Sequence, residues 1–247
     1  MTASERLTDE SFWISAKPVV FSSHDGHEID KFIRKFIPPA TQNQSVLEIG
    51  SFPGPFLSTF GKLGYCLNGI DFHPGNERDL PSWLNSMGYC TGEFYTKDFF
   101  EFSTDKKFDV VTSFGFIEHF ENFEEVIRMH IDLLKPGGTL LITVPNFSGS
   151  IQHWLHRTFD KVNLFHHNTK SMNPALWKNI LEKQGHVVEW SGYFGDFWFW
   201  KGNEERSKAK KFFLWFIERL IPRIRKILWF QSPSFSAYCG IVAKRPL

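Results

Sequence analysis

The sequence predicts an α/β fold whose central sheet is mostly parallel, and three observations lead to this prediction. Short apolar segments alternate with segments of helical periodicity between about residues 45 and 145, which is typical of a parallel sheet covered by helices on both faces. The apolar segments are nearly continuous, as in strands that are buried on both faces. The chain has 247 residues, of which 42% are hydrophobic, and this suffices for one domain with a large core.

The first half of the chain supplies most of the sheet. A helix is predicted over 27–37, because Ile29, Phe32, Ile33 and Phe36 recur at helical spacing and two prolines follow. Strands are then predicted over the apolar segments 45–49, 66–72, 92–95, 108–113 and 139–144. The helices predicted between them are 55–63, 79–87 and 122–134. Residues 135–138, with the sequence Lys-Pro-Gly-Gly, are predicted to form a turn.

The pattern changes after residue 145. Helices are predicted over 148–159 and 173–184, a strand over 187–191 and a final strand over 236–243 that closes the sheet. Residues 208–230 form a long basic and aromatic helical pattern that we expect to be interrupted at Pro222. We therefore predict a single domain over 1–247 whose scaffold comprises 27–145, 174–191 and 234–247. An N-terminal aromatic arm (1–26) and the segments 146–172 and 192–233 are additions to it.

The composition excludes several classes of protein. A net charge of +1 with only 22% charged residues argues against a disordered chain and against nucleic acid as a partner. Cys66, Cys90 and Cys239 form no Cys-x-x-Cys pair, which argues against a disulfide framework or a zinc site and suits a reducing compartment. We expect no signal peptide in the first residues, which lack an apolar segment, and no apolar stretch is long enough to span a membrane. We therefore expect a cytoplasmic location.

A glycine-rich turn is the strongest chemical signal in the sequence. The apolar strand at 45–49 ends in a turn that contains Gly50 and Gly54, and a helix follows at once. Glycines there let the backbone approach a ligand, and the first turn of the helix presents unpaired N–H groups. The next strand ends in Asp71, at about the distance at which an acid binds a ribose in nucleotide-binding folds. The alternative is an ordinary strand–helix connection.

These residues make the chain similar to the class I S-adenosylmethionine-dependent methyltransferases. The first motif of that family, acid-x-Gly-x-Gly-x-Gly, is matched by 48–54 with Phe52 at the middle glycine. Residues 108–119 match the fourth-strand motif and 134–142 match the turn into the fifth strand. The resemblance covers about residues 30–145. It implies a Rossmann-like methyltransferase sheet with an antiparallel last strand and helical additions, and S-adenosyl-L-methionine as the cofactor.

The resemblance also implies how the cofactor is bound. Glu48 is expected to act on the cationic methionine end, Asp71 on the ribose hydroxyls, and Asp98 near the adenine amine. The predicted cofactor-binding residues are Glu48, Gly50, Phe52, Gly54, Asp71, Phe72, Asp98, Phe99 and Glu118. An acid at the mouth of the turn suits an ammonium and a sulfonium but disfavours a pyrophosphate, so a NAD-dependent oxidoreductase is disfavoured.

Two histidines are the catalytic candidates. His119 follows the fourth predicted strand, at the edge of the sheet where ligands bind, and His167 precedes the helix at 173. Either can act as a general base, since a histidine pKa of about 6.5 suits neutral pH. The alternatives are that Glu118 caps the helix near Asn122 while His119 packs beside the cofactor, and that His167 belongs to a polar loop.

A metal site at His119 is a further alternative. Some small-RNA 2′-O-methyltransferases and ubiquinone-pathway O-methyltransferases pair Glu-x-x-Glu-His with another histidine. Here Gly115 stands at the position of the first glutamate, although His166 or His167 can supply nitrogen. We therefore predict no metal.

The aromatic segment at 192–233 is expected to form a lid and the acceptor pocket, together with 146–172. It contains Phe197–Trp200 and the helical pattern at 208–230, in which Arg219, Arg223 and Lys226 flank an apolar stripe. Peripheral membrane contact through 208–230 is the alternative.

The predicted function is methyl transfer to an oxygen of a sugar, glycan or other small metabolite. The late module resembles that of bacterial methyltransferases of surface-polysaccharide and other glycan pathways. The alternative function is a cofactor-binding interaction protein without catalysis.

Overall fold

The computed structural model describes residues 6–8, 19–199, 205–227 and 230–247, with only the backbone of 225–227. Within these ranges seven strands form one sheet: β1 (Ser45–Ile49), β2 (Cys66–Asp71), β3 (Thr91–Thr96), β4 (Phe108–Phe114), β5 (Leu134–Pro145), β6 (Val187–Phe194) and β7 (Tyr238–Lys244). Their spatial order is β3-β2-β1-β4-β5-β7-β6. The first five strands are parallel, whereas β7 is antiparallel to both β5 and β6. The predicted fold class is therefore confirmed.

The helices of the described residues are α1 (Glu28–Phe36), α2 (Leu57–Lys62), α3 (Gly75–Arg78), α4 (Leu80–Ser86), α5 (Phe123–Asp132), α6 (Ser150–Phe159), α7 (Lys161–Phe165), α8 (Pro174–Lys183) and α9 (Lys208–Ile227). Short 3₁₀ turns lie at Phe99–Glu101, Ile117–His119 and Thr169–Ser171. α1 begins after His27, whose side chain accepts a hydrogen bond from the Ile29 N–H and so satisfies one free donor of the first turn.

The helix predicted over 79–87 is confirmed as α4, which has Pro81 in its first turn, where a proline costs no hydrogen bond. Two other predicted element boundaries are wrong. The turn expected at 135–138 lies inside β5, whose pairing with β4 shifts register between Phe108 and Val110, so a local irregularity absorbs it. α9 continues through Pro222, since a helix can accommodate a proline at the cost of one backbone hydrogen bond and a bend.

Helices cover both faces of the sheet. β1 turns Leu47 and Ile49 toward one core and Val46 toward the other, as the two-residue period of a strand requires. α5 and α8 contribute to the first core, and α1, α2 and α4 to the second. A third, separate core joins α6 to α9 through Leu155, Phe159, Leu214 and Ile221.

The carboxyl ends of the parallel strands meet at one edge of the sheet. Pro145 at the end of β5 and Phe194 at the end of β6 both pair with Tyr238, the first residue of β7. The segment between β6 and β7 therefore leaves and re-enters the sheet at the edge where β1 and β4 also end. We call this segment, residues 195–237, the insert. In the parts of the chain that the structure describes, we find no helix with the length and apolarity needed to cross a bilayer.

A disulfide joins Cys66 and Cys90, contrary to the expectation of no disulfide. Cys66 opens β2, and Cys90 directly precedes β3, its parallel neighbour. The strand pairing therefore brings the two Cα atoms to 4.6 Å, within the range that a disulfide spans. The spacing of cysteines along the chain does not reveal this contact. Cys239 of β7 is a buried free thiol.

Candidate functional site

The turn between β1 and α2 admits only glycine at two positions. Gly50 and Gly54 have φ angles of +72° and +77°, a region that favours glycine. A Cβ on Gly50 would lie 2.9 Å from the Phe116 ring, and one on Gly54 would lie 2.5 Å from Leu80. The two glycines therefore keep the backbone of this turn close to the carboxyl edge of the sheet.

Phe52 replaces the middle glycine of the motif without filling the turn. Its ring stacks on His73, with the centroids 4.0 Å apart and 8° between the planes, and the edge of Phe21 packs nearby. A Cβ on Gly75 would lie 2.5 Å from the Phe52 ring. The ring is therefore accommodated over the segment after β2, and Gly75 makes room for it.

Asp71 connects this turn to the end of β2. Its Oδ2 accepts a hydrogen bond from the Phe52 N–H at 3.1 Å, and its Oδ1 accepts one from the His73 N–H at 2.8 Å. Burial raises the pKa of Asp71 to about 6. Each carboxylate oxygen has a second lone pair, so Asp71 can still accept hydrogen bonds from a ligand.

Glu48 is a buried acid at the mouth of the same turn. Burial, together with the charge of Asp71, raises its pKa well above the ordinary value. Its Oε2 has no hydrogen-bond partner among the described residues. Since buried carboxylate oxygens normally have partners, this arrangement fits a cationic ligand that would both satisfy and ionise the acid.

The third predicted acid, Asp98, already has two partners. Its Oδ1 accepts the Phe100 N–H at 2.9 Å, and its carboxylate forms an ion pair with Arg6. The Leu7 N–H donates to the His119 carbonyl at 2.9 Å, so residues 6–8 lie across the site. Arg6 could not be predicted from the sequence, because an isolated arginine in a segment without periodicity gives no signal.

The two predicted aromatic neighbours of Asp71 and Asp98 differ in burial. Phe99 is 5% exposed and packs edge-on against Phe116 and His130. It therefore supports the ring that closes over Gly50. Phe72 is half-buried directly after β2. The contact of either ring with a cofactor stays a prediction.

Glu118, His119 and His167 converge after β4. One ligand atom of each lies within 4.8 Å of those of the other two, and His119 Nε2 lies 3.8 Å from Glu118 Oε1. His119 Nδ1 is 2.9 Å from the His166 carbonyl, and His167 Nδ1 is 2.6 Å from the Asn163 carbonyl. A carbonyl oxygen only accepts, so both Nδ1 atoms carry the proton and both Nε2 atoms carry the lone pair. We call these three residues the Glu–His–His cluster.

Burial decides the charge of this cluster. It raises the pKa of Glu118 to about 8 and lowers that of His119 to about 3 and of His167 to about 4, with neighbouring histidines adding to the effect on His119. All three side chains are therefore mostly uncharged near pH 7, and neither histidine has the pKa of about 6.5 on which its prediction as a general base rested. Both Glu118 oxygens lack a hydrogen-bond partner among the described residues, and no side chain caps α5. The interpretation of Glu118 as a helix cap is wrong.

A buried ion-pair network lies behind the cluster. His156 Nδ1 is 3.2 Å from Asp160 Oδ2, and Arg206 Nη2 is 3.2 Å from Asp160 Oδ1. The Phe147 ring stacks on His156 at 3.8 Å and lies 4.7 Å from the His167 ring. Arg206 belongs to the insert. The network therefore connects the insert to the Glu–His–His cluster through the Phe147 ring. His156 is fully buried, and its role in this network is structural.

The aromatic segment of the insert divides between core and surface. Phe197 and Phe199 are 5% and 3% exposed and belong to the third core, whereas Trp198 is 62% exposed. The Trp198 carbonyl accepts a hydrogen bond from Gln152 Nε2 of α6 at 3.0 Å. The role of Trp198 in an acceptor pocket stays a prediction. Phe12, Trp13, Trp200 and the Lys226 side chain lie outside the described residues.

Comparisons with known proteins bear on the family and the fold of this chain. Residues 21–189 match the family model described as a methyltransferase domain. A solved SAM-dependent methyltransferase from Archaeoglobus fulgidus is 20% identical, with a TM-score of 0.55, and the match covers 88% of this chain and 93% of that one. A search of curated proteins finds no match.

Two further solved structures are similar at low identity. Phosphoethanolamine N-methyltransferase 2 from Haemonchus contortus, solved with S-adenosyl-L-methionine, is 18% identical with a TM-score of 0.60; the match covers 95% of this chain but only 56% of that one. The plantazolicin methyltransferase BpumL, solved with SAH, is 17% identical with a TM-score of 0.50, over 88% of this chain and 80% of that one. At these identities the likeness shows the shared fold.

Proposed function

This chain belongs to the class I S-adenosylmethionine-dependent methyltransferases, and on that premise we propose which of its residues bind the cofactor and the acceptor. The cofactor is S-adenosylmethionine, whose sulfonium supplies an electrophilic methyl group and leaves as a neutral thioether. The protein must hold the acceptor atom in line with that methyl group and exclude water. All the residues assigned below lie at the carboxyl edge of the sheet.

Glu48 and Asp71 are proposed to bind the two ends of the cofactor's ribosyl-methionine part. Glu48 takes the ammonium, since its buried Oε2 has no partner among the described residues and a cation removes the cost of ionising it. Asp71 accepts the two ribose hydroxyls with its remaining lone pairs. Gly50 and Gly54 let the backbone approach, and Asp98 binds near the adenine amine while Arg6 fixes its position.

The acceptor atom is proposed to be an oxygen of a sugar, a glycan or another small metabolite. The Glu–His–His cluster carries this proposal, because it presents two neutral imidazole nitrogens with their lone pairs at the edge of the sheet. A hydroxyl loses its proton on methylation, so an oxygen acceptor gains from such a base. The aromatic rings of the insert add flat faces on which a sugar ring can pack.

Methyl transfer to defined acceptors tests this proposal. The protein is incubated with radiolabelled S-adenosylmethionine and a panel of sugar phosphates, nucleotide sugars, glycans and small phenols, amines and thiols. Calorimetry with S-adenosylhomocysteine runs in parallel. We expect cofactor binding and transfer to a hydroxyl. Transfer only to amines would contradict the oxygen proposal, and binding with no transfer to any acceptor would support the alternative of a non-catalytic cofactor-binding protein.

Asp71→Ala is expected to weaken S-adenosylhomocysteine binding by about 1.5–3 kcal/mol, because hydrogen bonds to a charged group are worth about that much. Calorimetry measures the dissociation constant, with the exposed Asp105→Ala as the matched control. An unchanged constant in Asp71→Ala would remove Asp71 from the cofactor site.

The pH dependence of the dissociation constant for S-adenosylhomocysteine provides a second test of the role of Asp71. With its pKa raised to about 6, Asp71 is mostly ionised at pH 7 and mostly protonated at pH 5, and a protonated carboxyl is the weaker acceptor. Affinity for S-adenosylhomocysteine should therefore fall as the pH falls through 6. Asp71→Asn should remove that part of the dependence.

The Glu–His–His cluster also offers one carboxylate and two imidazole ligands, so a divalent metal is the competing interpretation. We expect EDTA to leave turnover unchanged. In the motif Glu-x-x-Glu-His the first glutamate would supply the fourth ligand, and in this chain Gly115 stands at that position. The assay compares turnover after dialysis against EDTA with turnover after restoring Zn²⁺, Mg²⁺ or Mn²⁺. Activity that disappears with EDTA and returns with one metal would establish the metal interpretation instead.

A further inference from the structure

The solvent-facing side of α9 is apolar, although the helix also has a buried apolar stripe. Leu214 and Ile221 are buried against α6 in the third core, with Ile217 half-buried between them. Large apolar side chains also occupy exposed positions on α9: Phe212 (67% exposed), Trp215 (49%), Phe216 (47%), Phe213 (38%), Ile224 (38%) and Leu220 (36%). A surface helix normally places polar residues opposite its buried stripe, so packing on this domain does not explain Phe212, Trp215 and Phe216, whereas Phe213 does stack on Phe159 of the third core.

The same face is strongly basic. Residues 208–227 contain seven lysines and arginines and a single acid, Glu218. Lys208, Lys210, Lys211, Arg219 and Arg223 are exposed. The Arg219 guanidinium lies 4.0 Å above the Trp215 ring, so a cationic head lies directly on an exposed aromatic surface. Long basic side chains can lie along apolar surface in this way and keep their charge in water.

The exposed rings form two packed pairs, which are joined through the chain neighbours Phe212 and Phe213. Phe212 stacks on Trp215 at 5.7 Å, and Trp154 of α6, itself 49% exposed, packs edge-on against Phe213 at 6.0 Å. We call the exposed residues Trp154, Phe212, Phe213, Trp215, Phe216, Arg219, Leu220 and Arg223 the aromatic–basic face. Contiguous exposed apolar surface of this kind marks an interaction site in soluble domains.

We propose that the aromatic–basic face docks on the surface of an anionic lipid bilayer. Tryptophan, phenylalanine and leucine enter the interface between headgroups and acyl chains, while lysine and arginine pair with anionic headgroups. Charge complementarity favours this occupant over a second copy of the chain. A two-fold dimer through this face would bring two copies of the same cationic helix together. α9 lies in the plane of the interface and does not cross it, consistent with its 20 residues being too highly charged for a span.

Sedimentation of the full chain with large unilamellar vesicles tests the proposal. One set of vesicles is phosphatidylcholine, and the other is phosphatidylcholine mixed with phosphatidylglycerol. We expect binding to the anionic vesicles that weakens as salt is added. Arg219→Gln/Arg223→Gln should lower the partition coefficient at least about ten-fold, because each basic residue near an anionic surface contributes several-fold. Trp215→Ser/Phe216→Ser should lower it similarly through the lost apolar insertion.

The matched control is Lys178→Gln/Lys183→Gln, which removes the same charge from exposed positions on α8 and should leave vesicle binding unchanged. Calorimetry with S-adenosylhomocysteine on every variant shows that the fold and the cofactor site are intact. Absence of binding to anionic vesicles would overturn the proposal, and so would an equal loss in the α8 control. A dimer that light scattering detects without lipid, and that Trp215→Ser/Phe216→Ser dissociates, would assign the face to a second copy instead.

Discussion

His119→Ala is expected to lower turnover by about 10²–10⁴-fold while affinity for S-adenosylhomocysteine stays nearly unchanged. The lone pair of His119 is on Nε2, since Nδ1 donates to the His166 carbonyl, and this nitrogen can take the proton that a hydroxyl acceptor releases. Glu118 Oε1, 3.8 Å away, stabilises the imidazolium when it is ionised. Steady-state kinetics and calorimetry measure the two quantities.

The control for this experiment is His186→Ala, since His186 precedes β6 at the opposite end of the sheet. If His167 is the base instead, the same loss should appear in His167→Ala. Full turnover in both variants would show that the acceptor needs no enzymic base and that positioning alone suffices.

The pH profile checks the contribution of Glu118. Its pKa is raised to about 8 by burial, so the ionised form that supports an imidazolium increases as the pH rises through 8. Turnover should therefore rise between about pH 7 and pH 9 in the wild type. Glu118→Gln should flatten this rise, and a rise that persists in that variant would exclude Glu118 as its cause.

Truncating two neighbouring aromatic residues of the insert, one at a time, is expected to lower the free energy of unfolding in one case and to leave it unchanged in the other. Phe199 is 3% exposed within the third core, so Phe199→Ala should lower the free energy of unfolding by about 3–5 kcal/mol. Trp198 is 62% exposed, so Trp198→Ala should leave stability unchanged. If Trp198 lines the acceptor pocket, the Trp198→Ala variant should have a raised KM for the acceptor and an unchanged affinity for the cofactor.

Thermal unfolding and acceptor kinetics on both variants separate these roles. An unchanged KM in a stable Trp198→Ala protein would remove Trp198 from the acceptor pocket. A Phe199→Ala protein of wild-type stability would contradict the buried position of that ring.

The sheet could be predicted from the sequence because its determinants are local. Apolar segments of strand length, such as 45–49, alternate with helical periodicity, and Gly50 and Gly54 mark a turn that a side chain would strain. The helix is not interrupted at Pro222 as predicted. The packing of Leu214 and Ile221 on α6 outweighs the low helix propensity of one proline.

The contacts of the site were harder to predict because they join residues far apart in sequence. His119 and His167 were two separate candidates, yet they belong to one cluster, since the segment after α7 folds back across the end of β4. The pairing of Arg6 with Asp98 and the bond between Cys66 and Cys90 likewise depend on the three-dimensional neighbourhood. The burial that shifts the pKa of Glu118 cannot be read from its local sequence.

The pairing of Phe194 with Tyr238 has a consequence for how this domain can exchange its insert. Because the two ends of the insert are adjacent across one pair of strands, a tight hairpin or a different module can join β6 to β7 without altering the register of the sheet. The residues that contact the insert must change with it, among them Leu155 and Phe159 of α6, Asp160, which pairs with Arg206, and Asn146, which donates to the Pro233 carbonyl. Recombination at these two positions would thus exchange the insert as a unit and leave the glycine turn at Gly50 intact.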